Sequence, residues 1–389
     1  MHLRQLSLIA VTVVSLCPLA GTCDARGVKS PPRGSFPAFS WKHVPVWADL
    51  CAPTGFSPSE TKFLATHFSG INIEGTQGLD GNPPRFNVEV NDQAAARELK
   101  KYNARLKVLM YSNVQVYLAN IYKADRTVKK SWLIQPADGK GNVLFRQGNK
   151  KFQSWWIKFA AGAVAGGPID GLFLDGASCY PKVNPATMAM MRGLRRRLNI
   201  LEKPTLILYN GVRIGGISPS VTLAYMKYAD GGMMEHFDFH PSIDPNGASP
   251  QKLAGEMKFI MRLGRMGKIV IVKGWPDFYW IDADINSIPY STLKRRAVQQ
   301  ITFPLACFLV CAQKYAYFSY SWGYTDTQGD MLLKSDMKTV DPRWYPDLEK
   351  PLGRPLDEPI IHGYHWTRRF EHATVSVNLG KHSAKIVWH

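Results

Sequence analysis

The chain has 389 residues, 45% of them hydrophobic and 12% aromatic, with 32 glycines and 26 prolines. That composition excludes a disordered, collagen-like or coiled-coil protein and leaves a globular one. Lys and Arg total 48 against 30 Asp and Glu, a formal charge of +18. Polyanions are therefore admissible partners, although the basic residues are scattered and the densest run, Arg195 to Arg197, ends a predicted helix, where cations complement the dipole and face water.

In chain order, residues 1–25 read as a signal peptide: a short basic start, an apolar run from Leu6 to Leu19 interrupted at Pro18 and followed by Gly21, then small residues near Cys23 to Ala25. The run is too short to span a membrane. Residues 26–40 form a linker rich in proline and glycine. Secretion would leave Cys51, Cys179, Cys307 and Cys311 in an oxidising compartment, and the i, i+4 spacing of Cys307 and Cys311 on an apolar helix suits buried thiols as well as a bridge.

Short apolar runs then recur at His43–Ala48, Gly70–Ile73, Leu106–Tyr111, Gly171–Leu174, Thr205–Tyr209, Gly232–Met234, Lys268–Val272 and Tyr315–Tyr320, and read as strands. Between them lie stretches of helical periodicity: Pro58–Phe68, Asp92–Tyr102, Lys151–Ala165, Pro185–Leu198, Ser249–Met266 and Thr292–Ala312. Ser57-Pro58, Asn184-Pro185 and Ser249-Pro250 each set a capping side chain before a proline at the first helical position. Strands alternating with helices imply a parallel sheet, and eight of them close into a (β/α)8 barrel over residues 41–325. An open doubly wound sheet is the alternative, but no glycine-rich phosphate fingerprint follows any strand. Residues 326–389 begin polar and proline-rich and end in alternating runs, which predict a small antiparallel β-extension packed on the barrel.

Active sites of such barrels lie at the C-terminal ends of the strands. The predicted ends are Asp49, Glu74, Ser112-Asn113, Asp175, Asn210, Glu235, Lys273 and Tyr320-Ser321-Trp322. Asp175 tips the strand Gly171-Leu172-Phe173-Leu174, and Glu235 holds the same place two strands later. Two carboxylates across a cleft are what glycosidic bond cleavage requires, one protonating the leaving oxygen and the other attacking the anomeric carbon or activating water. Glu235 is expected to hold the higher pKa and Asp175 to stay ionised. Aromatic residues gather at the same ends: Trp47, Tyr111, Tyr180, Tyr209, Trp275, Tyr279, Trp280, Tyr320, Trp322 and Tyr324. They suit sugar rings, with Trp275 and Trp322 the expected platforms. Asp49, Glu74, Tyr111, Asn113, Asn210, Lys273, Trp275, Tyr320 and Trp322 are the candidate substrate-binding residues.

The rival readings are a carbohydrate-binding barrel without catalysis and a lyase or aldolase using Lys273 as a Schiff base. His236-x-Asp238-x-His240 is a weak metal pattern with nothing to complete it, and no metal or cofactor is expected. An oligo- or polysaccharide is the expected partner, with acidic or sulfated glycans the first to try, and neither nucleic acid binding nor membrane insertion is expected.

The order of these pieces resembles the hypothetical glycosyl-hydrolase-like families, secreted (β/α)8 barrels. The resemblance rests on Trp41-Lys42-His43-Val44-Pro45-Val46-Trp47, Phe63-Leu64-Ala65 leading to Ile71-Asn72-Ile73-Glu74, the strand ending Leu174-Asp175-Gly176, Met234-Glu235-His236-Phe237, Arg369-Phe370-Glu371 and Val375-Ser376-Val377-Asn378. The placement of the two acids also looks like that of retaining α-galactosidase and α-glucosidase-type barrels, which implies Asp175 as nucleophile and Glu235 as acid/base. The glutamate stands where those families commonly carry aspartate.

Overall fold

The computed structural model describes residues 36–79, 87–118, 126–134, 143–178, 182–201, 203–213, 219–239, 247–282, 284–325 and 345–389. The proposed signal peptide, most of the linker, Cys179, Tyr180 and His240 lie outside them.

Eight parallel strands form one sheet: β1 (Trp47–Leu50), β2 (Gly70–Ile73), β3 (Lys107–Asn113), β6 (Gly171–Asp175), β7 (Leu206–Asn210), β8 (Gly231–Phe237), β9 (Ile269–Gly274) and β10 (Ala316–Tyr320). Between β3 and β6 a hairpin of two-residue strands intervenes, β4 (Leu133–Ile134) and β5 (Leu144–Phe145), which the chain's periodicity had not announced. The sheet closes on itself: Val46 bridges Phe318, Cys51 bridges Thr325, and the Phe318 amide donates to the Pro45 carbonyl at 2.8 Å. The first strand thus begins later than the apolar run at His43 implied.

The interior is filled by Trp47, Leu109, Tyr111, Phe173, Leu206, Leu208, Met233, Ile269, Ile271 and Tyr317, alternate residues of the strands, as a barrel of eight requires. Gly70 follows from this packing, because a Cβ there would stand 2.3 Å from the Trp47 indole. Outside the barrel the helices α1 (Pro58–His67), α2 (Val88–Tyr102), α3 (Lys150–Ala165), α4 (Pro185–Leu198), α5 (Pro219–Tyr225), α6 (Pro250–Arg265), α7 (Tyr290–Gln300) and α8 (Thr302–Cys311) cover the other face of the strands. Ser57, Asn184 and Ser249 cap α1, α4 and α6 through their side chains. The single helix expected over Thr292–Ala312 is two. Pro304 has no amide hydrogen to give the Gln300 carbonyl, so the first helix ends there.

The β-extension is an antiparallel sheet of β11 (Ile360–His362), β12 (His365–Arg369), β13 (Ala373–Asn378) and β14 (Ser383–Trp388). Alternation along β13 buries Ala373, Val375 and Val377, and β12, β13 and β14 all pack on α8. Arg368, 3% exposed, fastens the layer by donating to the Leu309, Val310 and Ala312 carbonyls at the end of α8. Those carbonyls have no partner within the helix, so the guanidinium both neutralises the helix terminus and docks the sheet. Cys51, Cys307 and Cys311 are buried thiols, not a bridge. No described helix is long and apolar enough to cross a membrane.

Candidate active site

At the C-terminal ends of β3, β6, β7 and β8 the side chains converge. Asp175 accepts from the Tyr111 hydroxyl at 2.8 Å, from Asn113 Nδ2 at 3.0 Å, from Asn210 Nδ2 at 3.1 Å and from the Gly176 amide at 2.8 Å. Gly176 has φ +70°, and a Cβ there would meet Asn113 Oδ1 at 2.8 Å, so only glycine turns the chain sharply enough to offer that amide. All four neighbours donate, a setting made for an ionised carboxylate.

Glu235 reaches the same Asn210: its Oε2 accepts from Nδ2 at 2.7 Å. One amide thus bridges the two carboxyl groups, and the bonded oxygens lie less than about 6 Å apart. The backbone makes this possible through an irregularity. Met234 pairs with Val272 and Phe237 with Gly274, so Glu235 and His236 together oppose Lys273 alone. Regular alternation would send the two side chains to opposite faces, and the bulge re-aims them, leaving His236 Nε2 3.5 Å from Glu235 Oε2. The Tyr324 hydroxyl, just beyond β10, donates to Glu235 Oε1.

These partners reverse the expected order of pKa values. Burial raises Asp175, and the charge of Glu235 adds to it against the donors from Tyr111, Gly176 and Asn210. Glu235 is also raised by burial, yet the His236 charge, the Tyr324 and Asn210 hydrogen bonds and Lys273 together bring it down to about 2. The strand ends displayed both acids, but His236, next to Glu235 in sequence, would face away from it under regular alternation, and the Tyr324 phenol comes from far along the chain.

A second cluster lies at the ends of β1, β2 and β9. Lys273, fully buried, donates to Asp49 Oδ2 at 3.0 Å and to the Gly323 carbonyl at 3.1 Å, with its ammonium 3.9 Å from the Tyr324 ring centre and 4.6 Å from that of Trp275. Asn72 ties Asp49 to Trp47. Glu74 is pushed well above the usual carboxylate range by burial, then by the charge of Asp49, the hydrogen bond it gives Asp49, and Asp175, with Lys273 opposing.

Of the candidate substrate-binding residues, Tyr111, Asn113 and Asn210 are engaged in holding the two acids, and Asp49, Glu74 and Lys273 form the adjoining network. Lys273 is committed to Asp49, so the Schiff-base reading gives way to an ion pair. Trp275 is 3% exposed; its indole N–H donates to the Glu235 carbonyl and its ring stacks on His236. It braces the bulge and is no platform. Tyr320 and Trp322 are also corrected. Tyr320 is fully buried against Phe318 and Tyr345 with its hydroxyl on the Ala297 carbonyl, and Trp322, 2% exposed, packs on Phe278 and Tyr290. Both aromatic side chains turn outward into the helix layer. His236 and Asp238 take different partners, Glu235 and His382, so they do not form a common ligand set. Tyr324 and His236 were visible only as members of an aromatic cluster and a weak metal pattern.

The sequence model of hypothetical glycosyl hydrolase family 15 matches residues 100–374, more than half of the chain and the segment that carries Asp175, Asn210, Glu235 and Tyr324. The chain belongs to this family. It is a glycoside hydrolase. Among solved structures, the glycosidase is similar to an α-amylase from Geobacillus thermoleovorans, complexed with acarbose, at 13% identity and a TM-score of 0.51, with 87% of each chain covered. An α-amylase from Malbranchea cinnamomea is similar at 11% identity and a TM-score of 0.50, covering 87% of this chain and 85% of the other. At such identity the likeness shows a shared barrel and carries no substrate. A search of curated proteins finds no match.

Proposed function

We propose that this glycosidase cleaves an uncharged glycan with retention of configuration, Asp175 acting as nucleophile and Glu235 as acid/base, and that residues 1–25 direct its secretion. The observation that carries the reading is the single Asn210 amide hydrogen-bonded to both carboxyl groups. That bridge suits the roughly 5–5.5 Å spacing of a retaining pair better than the roughly 6.5–9.5 Å that admits an attacking water.

Asp175, held by four donors, attacks the anomeric carbon as the glycosidic C–O bond breaks, and the leaving oxygen takes a proton from Glu235. In the resting site Glu235 and His236 hold that proton between them: with His236 charged Glu235 is ionised, and transfer across the 3.5 Å contact arms the acid. In the second step Glu235 takes a proton from water, which attacks the glycosyl-enzyme and frees Asp175. Support for an uncharged substrate comes from Lys273. Its charge reaches Glu235, yet it is buried and bound to Asp49, so it has no charge to spare for a sulfate or uronate.

The test is a panel of neutral and anionic polysaccharides, with product anomers followed by NMR. A first-formed product of inverted configuration overturns the mechanism, and steep loss of turnover with salt overturns the uncharged substrate. Asp175→Asn should abolish turnover. Glu235→Gln should impair natural leaving groups far more than activated aryl glycosides, which need little protonation to depart.

A further inference from the structure

With Trp275 and Trp322 withdrawn into the packing, Trp280 remains as the exposed tryptophan among the described residues, at 40% exposure. It follows β9 on a segment fixed from below, for its amide donates to the Trp322 carbonyl at 2.8 Å. Its indole stands edge-on to the Tyr324 ring, with centroids 6.3 Å apart, and lies 6.1 Å from the ring of Tyr279. Tyr324 in turn donates to Glu235 Oε1. A large apolar ring so exposed costs hydration unless something covers it, and this one is two contacts from the acid/base.

We propose that Trp280 is the platform of the leaving-group subsite, stacking on the sugar unit whose oxygen Glu235 protonates. The inference rests on the reading of Glu235 as acid/base, because that group by necessity faces the departing side of the bond. An aromatic face takes the C–H face of a neutral pyranose, and Tyr279 and Tyr324 flank the indole at tilted and edge-on angles. Trp280 therefore acts on affinity for the leaving unit and leaves the proton chemistry to Glu235 and His236.

The experiment compares Trp280→Ala and Trp280→Phe with the unmodified enzyme on two substrates of one glycone, an oligosaccharide and its 4-nitrophenyl glycoside. The expected result is a roughly tenfold loss of kcat/KM on the oligosaccharide, equivalent to about 1.4 kcal/mol, a distinctly smaller loss on the aryl glycoside, partial rescue by Phe, and an unshifted pH profile. Equal losses on both substrates, or none on the oligosaccharide, overturn the proposal. A second measurement is independent of turnover. In the Asp175→Asn protein, neutral malto-, cello- and chito-oligosaccharides are tested for protection of Trp280 against oxidation by N-bromosuccinimide, read by mass spectrometry. Protection by any series supports the platform even if no glycan is cleaved, which would defeat the mechanism instead. Full oxidation of Trp280 in the presence of a bound oligosaccharide overturns it.

Discussion

Replacing His236 by Asn tests whether an imidazole governs the proton on Glu235. At 3.5 Å from Oε2, an imidazolium attracts a carboxylate by about 5 kcal/mol at an effective dielectric of ~20, the largest of the effects that together outweigh the burial raising the Glu235 pKa. That pKa is brought from 4.5 to about 2, and at about 1.4 kcal/mol per pKa unit Glu235 contributes roughly 3 kcal/mol to folding when ionised. Because the folded value is depressed, this contribution is present above pH 4.5 and is lost as the pH falls through about 2. In His236→Asn the carboxyl should titrate at its ordinary 4.5 or above, since burial is then opposed only by Tyr324, Asn210 and Lys273. The assay is a carbon-13 titration of the labelled glutamate carboxyls, with Glu235→Gln identifying the resonance, paired with urea unfolding on either side of that window. The variant should lose less stability than wild type on acidification. A Glu235 resonance still titrating near 2 in the variant would refute the argument.

Three further outcomes follow from buried groups. Asp92, on the core face of α2, is fully buried with neither carboxyl oxygen hydrogen-bonded, and burial, then Glu89, pushes its pKa well up. Asp92→Val should therefore stabilise the protein by about 1–3 kcal/mol; a raised folded pKa makes that gain grow with pH above the ordinary carboxylate range, so unfolding at mildly acidic and neutral pH checks it. Arg368→Met strands the three carbonyls at the end of α8 and should cost about 2–4 kcal/mol, with earlier proteolytic release of residues after Glu358 as the readout. Tyr324→Phe removes the donor to Glu235 Oε1; the Glu235 titration should move upward and the alkaline limb of the kcat/KM profile with it, because activity needs the proton on this group.

The barrel was legible because its signals are local and repeated. Each apolar run is buried on both faces, and Ser57, Asn184 and Ser249 mark helix starts by chemistry that needs no partner elsewhere in the chain. Asp175 and Glu235 could be picked out for the same reason, since a carboxylate ending an apolar strand is visible within a few residues. What the sequence could not show is orientation. Tyr320, Trp322 and Trp280 are all aromatic and all lie at or within six residues of a strand end, yet two are packed away and one faces solvent. Nor could it show the bulge that turns Glu235 and His236 the same way, because that depends on which residue of β9 stands opposite.

The formal charge of +18 says little about the site for a related reason. Net charge sums over a surface and governs approach at long range, whereas the site answers to groups within a few ångströms. There the balance is acidic: Asp49, Glu74, Asp175 and Glu235 share Lys273 and His236. Burial and the charge of Asp49 push Glu74 well above the usual carboxylate range, and His236 lies 3.5 Å from Glu235. On the proposed reading such a site needs no charge on its substrate: hydroxyl groups for its carboxylates and a ring face for Trp280 suffice, and a neutral glycan supplies both.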